Sequence, residues 1–311
     1  MAQQKTVTVL GGSGFLGKYV VRELARSGWR VLVVCRKPAA AAALKTTGDV
    51  GQVVAVRGNI CDIASFESAL AQSDAVVNLT GILFESGKQK FTTIHAQAPE
   101  KLAQAAAALD IKQFIHVSAL GVDKASGSKY ARSKVLGEKA VLAAIPTASI
   151  LRPSVIFGPE DNFINQFACM ASCAPALPLI GGGKTRFQPV YVADVASAVG
   201  ACLNRTDAQG QIYELGGPQI YTFKEILEMI MRLTGKHRKL VNVPFGMAGV
   251  VGTFGELLPR PPLTRDQVQL LKHDNVVSPN TKGFAALGIS PASMDVIVPD
   301  YLERFKVKAA A

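Results

Sequence analysis

From Thr6 to Leu151 the chain alternates short apolar runs with stretches whose apolar positions recur at helical spacing. The runs Thr6–Leu10, Val31–Val34, Val53–Arg57, Ala75–Asn78, Phe114–Val117 and Ser149–Leu151 read as strands. Between the first two, Phe15, Leu16, Tyr19, Val20 and Leu24 predict a helix over 15–27, and the alanine-rich Pro99–Leu109 and Lys134–Ala144 predict two more. Strands that alternate with helices imply parallel pairing through right-handed crossovers, hence an α/β protein with a doubly wound sheet. The rhythm changes near Arg152, where Pro153, Pro159, Pro175, Pro178 and Pro189 isolate the strands. We therefore expect residues 1–151 to form the sheet domain and 152–311 a smaller cap, with chain elements that can return to the sheet.

The first strand runs into "LGGSGFLG", residues 10–17. A strand, a glycine turn and a helix start present unpaired N–H groups and a partial positive charge, which suit a phosphate. Gly11 permits the tight turn, Gly14 lets a pyrophosphate approach, and Gly17 packs the helix on the strand. This is the opening of a Rossmann fold, and a glycine turn that binds nothing is its bland alternative. The second strand adds discrimination. It ends in Cys35-Arg36-Lys37-Pro38, without the acid that accepts from an NAD ribose hydroxyl. Two cations there fit a ribose 2′-phosphate, so NADPH is the expected cofactor, with planar Arg36 the better clamp and Lys37 its neighbour.

A candidate reaction centre follows. Tyr130 and Lys134 are four residues apart, on one helix face, and Ser118 ends the strand "FIHVS". An adjacent ammonium would lower the Tyr130 phenol from its usual value near 10, letting it exchange a proton with a carbonyl or alcohol oxygen while hydride moves at the neighbouring carbon. Ser118 would orient that oxygen, with Ser126 and Ser128 as alternates, and Lys134 would also hold the nicotinamide ribose.

The chain has 311 residues, 49% hydrophobic and 18% charged, which describes a folded protein with a substantial core. Its formal net charge of +11 suits anionic ligands, nucleic acid or an anionic membrane face. With 7% aromatic residues and no basic–aromatic cluster, nucleic acid is not expected. Five cysteines without framework spacing indicate a reducing compartment. Cys169 and Cys173 stand one helical turn apart but lack a second ligand pair, so no metal is expected. The first strand begins within a few residues of Met1, and no apolar run reaches membrane-spanning length, so we expect neither a leader peptide nor an anchor. Leu240–Gly255 is uncharged and is flanked by Lys236, Arg238, Lys239, Arg260 and Arg265. It reads either as an interfacial contact with anionic head groups or as a core helix of the cap starting after Pro244 and completed by Leu257 and Leu258.

Gly11-Gly12-Ser13-Gly14-Phe15-Leu16-Gly17, Asp62, Asn78-Leu79-Thr80-Gly81, Tyr130 with Lys134, and "RPSVIFGPED" together resemble the extended and atypical short-chain dehydrogenase/reductases over residues 5–235. The resemblance implies that Gly11, Ser13, Gly14, Phe15, Leu16 and Gly17 cradle the nucleotide and that Asp62 and Ile63 meet the adenine. It also implies that Leu79, Thr80 and Gly81 line the cofactor and that Pro153, Ser154 and Val155 lie beside the nicotinamide. One departure is that Ser118 precedes Ala119-Leu120-Gly121, where active sugar-nucleotide members carry a run of hydroxyl residues. "RPSVIFGPEDNFINQFACMASCAPALPL", "QPVYVADVASAV", "SKYARSKVLGEKAV" and "PLTRDQVQLLKHDNVV" are similar, more narrowly, to the NADPH-binding accessory subunits (subunit nine of the alpha subcomplex) of respiratory complex I. That resemblance implies a tightly held, structural nucleotide, peripheral-arm partners, and a place on the cytoplasmic face of a bacterial inner membrane. The alternative is an active NADP-dependent reductase acting on a quinone precursor, a lipid-like carbonyl or a nucleotide sugar.

Overall fold

The computed structural model describes residues 4–306 apart from Leu257, Pro259, Arg260 and Pro262; the contributions expected of Leu257 and Arg260 lie outside the described residues. Seven parallel strands form the main sheet in the order β11-β6-β5-β4-β1-β2-β3. They are β1 (Thr6–Leu10), β2 (Arg30–Cys35), β3 (Val53–Arg57), β4 (Ala75–Asn78), β5 (Gln113–Val117), β6 (Ser149–Pro153) and β11 (Ile212–Leu215). β1 and β4 are buried along their whole length, as strands covered on both faces must be. Helices α1 (Phe15–Arg26) and α6 (Val192–Asn204) cover one face; α2 (Glu67–Leu70), α3 (Ala98–Ala108) and α4 (Lys129–Ala144) cover the other. α6 and β11 lie beyond residue 152 and return to the sheet, so the chain crosses between the two layers of organisation more than once.

The remaining elements gather about a second apolar core containing Phe157, Ile164, Leu177, Phe223, Ile230 and Val298. They include β7 (Ile156–Phe157), α5 (Ile164–Cys173), β8 (Ala176–Ile180), β9 (Arg186–Phe187), β10 (Val190–Tyr191), β12 (Tyr221–Thr222), α7 (Phe223–Thr234), β13 (Lys239–Val243), α8 (Phe245–Gly255), α9 (Arg265–Leu270) and α10 (Met294–Leu302). α7 is fixed at both ends. Thr222 and Glu225 form a reciprocal cap, and Gly235 closes the helix in the left-handed conformation.

A buried charge cluster ties three elements beneath the site. The Arg152 guanidinium in β6 donates to both oxygens of Glu138 in α4 at 3.0 and 2.7 Å and lies 3.8 Å from Glu214 in β11, with Asp123 at 3.0 Å. Glu138 and Glu214 are nearly inaccessible, so the bidentate fork is what makes their burial tolerable.

The helix reading of 134–144 was too short at its start. α4 begins at Lys129 because Ser128 caps it, its Oγ accepting from the Ala131 N–H at 3.1 Å. The core-helix alternative holds at its start, because β13 pairs with β8 and α8 begins after Pro244, but its buried face does not: α8 buries only Ala248 and Gly252. Gly252 lies so close to α9 that a Cβ there would meet the Arg265 nitrogen at 2.7 Å. Met247, Val250, Val251 and Phe254 point outward, more than half exposed, along one stripe of the helix. Leu258, expected to complete a buried face, is 55% exposed.

Candidate functional site

The strand order reverses about β1, with β2 on one side and β4 on the other, which is where ligands of such sheets bind. At that crevice the Leu79 N–H donates to the Leu10 carbonyl at 3.0 Å, and Gly11 adopts φ +79°. A Cβ on Gly11 would press on the Leu79 carbonyl carbon at 3.2 Å, and one on Gly17 would sit 2.2 Å from the Gly11 oxygen. The glycines thus seat the α1 N-terminus directly against the ends of β1 and β4. That terminus has Gly14 as its N-cap, no capping side chain and no acid in its first turn. Its N–H groups are left for an anion, and the cradle fits a pyrophosphate.

At the end of β2, Arg36 and Lys37 are both exposed, and neither side chain has a hydrogen bond or ion pair among the described residues. Asp62 follows β3 with its carboxylate exposed, while its backbone carbonyl accepts from Ser65 Oγ at 2.5 Å. Ile63 beside it is half-buried. Thr80 is held by its N–H donating to Asn78 Oδ1 at 3.0 Å. The nucleotide-binding candidates from Gly11 to Gly17, Arg36, Asp62 and Leu79 to Gly81 therefore all lie at the C-terminal ends of β1 to β4.

Lys134 is buried to 4% exposure and donates from Nζ to the Val117 carbonyl at 3.1 Å, beside Gly81. Burial lowers its pKa to about 8, against the opposing pull of Glu138. Ser118, next along β5, is buried with an Oγ that has no hydrogen-bond partner among the described residues. Of the alternates, Ser128 is spent on capping α4 and on Asp266, and Ser126 is exposed. The expected lowering of the Tyr130 phenol is overturned: burial, and then the Asp266 carboxylate, raise it to about 12. Lys134 is engaged with the Val117 carbonyl, and the nearest influential charge on Tyr130 is negative.

Several site residues were not anticipated from the sequence. Asp266 Oδ1 accepts from the Lys129 N–H at 2.7 Å, and its Oδ2 accepts from Ser128 Oγ at 2.7 Å and the Tyr130 N–H at 3.2 Å. A carboxylate at a helix N-terminus is favourably placed against the helix dipole. Asn275 accepts on Oδ1 from Ser154 Oγ at 2.6 Å and the Val155 N–H at 3.2 Å, and donates from Nδ2 to the Leu120 carbonyl at 2.9 Å. Residues 264–275 thus strap together the start of α4, the loop after Ser118, and Pro153-Ser154-Val155. Phe91 and His95 pack against the Tyr130 ring at 5.7 and 5.2 Å, both edge to face. The available signal was the segment "PLTRDQVQLLKHDNVV", which contains both Asp266 and Asn275; nothing marked His95.

The Lys134 environment sets a pH dependence. Its folded pKa of about 8 lies below the ordinary 10.5, so the unfolded chain binds more protons between those values and stability rises with pH across that window. Tyr130, raised from 10 to about 12, weakens the fold only above pH 10. Urea unfolding of the nucleotide-free protein from about pH 8 to about pH 10 should therefore show wild type gaining on Lys134→Met as pH rises. A difference that stays flat over that range would show that Lys134 is not desolvated in solution.

Residues 7–216 match the family model described as "NAD dependent epimerase/dehydratase family". The 40 kDa subunit of mitochondrial NADH-ubiquinone oxidoreductase from Neurospora crassa is 33% identical over 98% of this chain and 80% of its own length. NADH dehydrogenase [ubiquinone] 1 alpha subcomplex subunit 9 from Arabidopsis thaliana is 35% identical over 96% of this chain and 77% of its own. A ceramide reductase from Caulobacter vibrioides is 30% identical over 76% of this chain and 73% of its own. Among solved structures, the NADPH-dependent quinone oxidoreductase of Escherichia coli, complexed with NADPH, superposes with a TM-score of 0.74 at 20% identity, covering 96% of this chain and 99% of that one. The main sheet is a Rossmann fold, shared with that NADPH complex. The chain belongs to the NAD dependent epimerase/dehydratase family, and within it is a homologue of the complex I alpha subcomplex subunit 9 proteins.

Proposed function

We propose that this protein holds NADPH as a structural nucleotide and serves as an accessory or assembly subunit of respiratory complex I, on the cytoplasmic face of a bacterial inner membrane. The observation that carries the reading is near full-length similarity to complex I subunits in a chain whose nucleotide cradle is intact. The raised Tyr130 phenol and the strap over 264–275 support holding over turnover, because a proton donor near 12 is poorly matched to neutral pH. Gly11 to Gly17 take the pyrophosphate, Arg36 with Lys37 the 2′-phosphate, Asp62 and Ile63 the adenine end, and Lys134 the nicotinamide ribose. When bound, the nucleotide would supply a hydride donor, and the chain's own part is to position it and keep water from its reactive end.

A second reading, an active NADP-dependent reductase, is favoured by one specific feature: Ser118 Oγ is buried without a partner among the described residues, beside Lys134's anchor at Val117. Tyr130 would then be the proton donor, Ser118 would orient the substrate oxygen, and a lipid-like carbonyl would be the fitting substrate class. The two readings separate in vivo. Tyr130→Phe should lower the turnover of an enzyme by roughly two to four orders of magnitude. Under the accessory reading it rescues respiration in a deletion strain fully, and failure to rescue, with NADPH still bound, would establish the reductase.

For the cofactor, Arg36→Ala should weaken NADPH about ten- to hundredfold, equivalent to roughly 1.5–3 kcal/mol, and leave NADH nearly unchanged in a fluorescence titration. Equal losses for both nucleotides would remove the 2′-phosphate role.

The exposed stripe of α8 supports the membrane contact. Its outward Met247, Val250, Val251 and Phe254 carry no charge, while exposed Lys239 and Arg265 stand at its flanks. No helix among the described residues is long and apolar enough to cross a membrane, so the contact proposed is interfacial. Arg238 is partly engaged, donating to the Ala171 carbonyl at 2.7 Å, so Lys239 and Arg265 are the better probes. The wild-type protein should sediment with anionic vesicles at low salt and be partly released at high salt, and Lys239→Glu with Arg265→Glu should release it without unfolding. A wild-type protein that stays wholly in the supernatant at low salt would refute the contact.

A further inference from the structure

His95 lies on a π-helical turn, Thr92–Gln97, immediately before α3. It is fully buried. A single irregular turn of this kind shifts side chains off the regular helical register, and here α4 fits against it with no room to spare: a Cβ on Gly137 would fall 1.9 Å from the His95 carbonyl oxygen. The ring is stacked on Phe91 at 5.5 Å and meets the Tyr130 ring edge to face.

The two ring nitrogens have different duties, and the donors around them fix which carries the proton. Nε2 receives the backbone N–H of Ile82 at 3.0 Å, so it must be the acceptor. Nδ1, 3.0 Å from Ser133 Oγ, must then carry the hydrogen and donate it. The Ser133 hydroxyl passes the direction on, donating to the Tyr130 carbonyl at 2.7 Å. A continuous chain of donors therefore runs from Ile82, one residue beyond Thr80-Gly81, through His95 and Ser133, to the backbone of Tyr130. Lys134, His116 and the Tyr130 phenol are the charged and titratable groups facing the ring, and a second proton on the imidazole would confront the Ile82 N–H as well as the Lys134 ammonium.

We propose that His95, as a neutral imidazole with its proton on Nδ1, is a positioning residue that locks the cofactor-lining loop after β4 to the Tyr130 turn of α4, so that the nucleotide and the phenol hold one fixed relation. His95 is not among the residues assigned to the nucleotide. It acts through Ile82 on one side and Tyr130 on the other. The nucleotide reading above enters only through the binding measurement; the proton position is a property of the free protein.

Long-range 15N NMR of the full chain should show the His95 ring as the Nδ1–H neutral form throughout about pH 5 to 8, a range in which an ordinary histidine changes charge. His95→Phe keeps a ring between Phe91 and Tyr130 but loses both hydrogen bonds. It should speed amide exchange at Ile82 and weaken NADPH about tenfold. His95→Gln can still accept from the Ile82 N–H through its amide oxygen, and should restore both the Ile82 protection and most of the affinity. A bulk packing role would predict the reverse, with Phe tolerated and Gln harmful. The proposal is overturned by a ring that protonates within that pH range or carries its proton on Nε2, or by His95→Phe that binds NADPH within about twofold of wild type with Ile82 still protected. If wild type itself binds no NADPH, the nucleotide reading fails, while the proton position and Ile82 exchange still decide the role of His95. If His95→Phe does not fold, the wild-type spectrum and the Gln variant decide it.

Discussion

The approach of α1 to the end of β1 is the contact on which the site depends. With 2.2 Å between the Gly11 oxygen and any Cβ at position 17, only glycine lets the helix start where it does. That start lies at the β1/β4 crevice, where the Leu10 carbonyl takes the Leu79 N–H. Moving α1 outward by the width of a methyl group would draw its free N–H groups away from Thr80 and Gly81. The phosphate end and the nicotinamide end of a nucleotide would then no longer share one groove. Arg36, Asp62 and Lys134 have their positions relative to that groove, and the roles proposed for them rest on it.

Much of this was legible in the sequence because it is local. β1, β3 and β4 match their expected bounds, since each is a short run rich in valine between polar residues or glycine. The glycine turn and the basic end of β2 are likewise local signals. Asp266 and Asn275 were not legible, because their partners lie more than a hundred residues earlier and neither residue is unusual where it stands. α8 was ambiguous for a different reason. Every position from 245 to 255 is apolar, glycine or threonine, so hydrophobicity does not distinguish the face on α9 from the face toward solvent. Size does: small Ala248 and Gly252 make the contact with α9, and Met247, Val250, Val251 and Phe254 are left outside.

The charge pattern about Tyr130 also inverts a simple expectation. Tyr-x-x-x-Lys puts an ammonium one turn from a phenol, yet here the ammonium is turned to the Val117 carbonyl, and the carboxylate of Asp266 is what the phenol feels. His95 and His116 are pressed toward their neutral forms by burial and by the same Lys134. His116 Nδ1 faces the Asn78 amide, whose oxygen is already committed to Thr80, so the amide nitrogen donates and the His116 proton resides on Nε2. The two histidines therefore carry their protons on opposite nitrogens. Around these two rings the interior is organised by hydrogen-bond direction, which favours holding a ligand in one pose.

The strap that closes the site is also the seat of the exposed helix. Gly252 of α8 rests on the Thr264–Arg265 peptide, and the Glu256 carboxylate accepts from the Arg265 N–H at 3.0 Å. The next residue, Asp266, accepts from the N–H of Tyr130. Only one residue thus separates the base of the apolar stripe from the turn that carries the phenol. Between them, Thr264 and Gln267 cap α9 reciprocally and fix the start of that short helix. The exposed face of α8 and the start of α4 are accordingly joined through one connected set of hydrogen bonds over Glu256, Arg265 and Asp266.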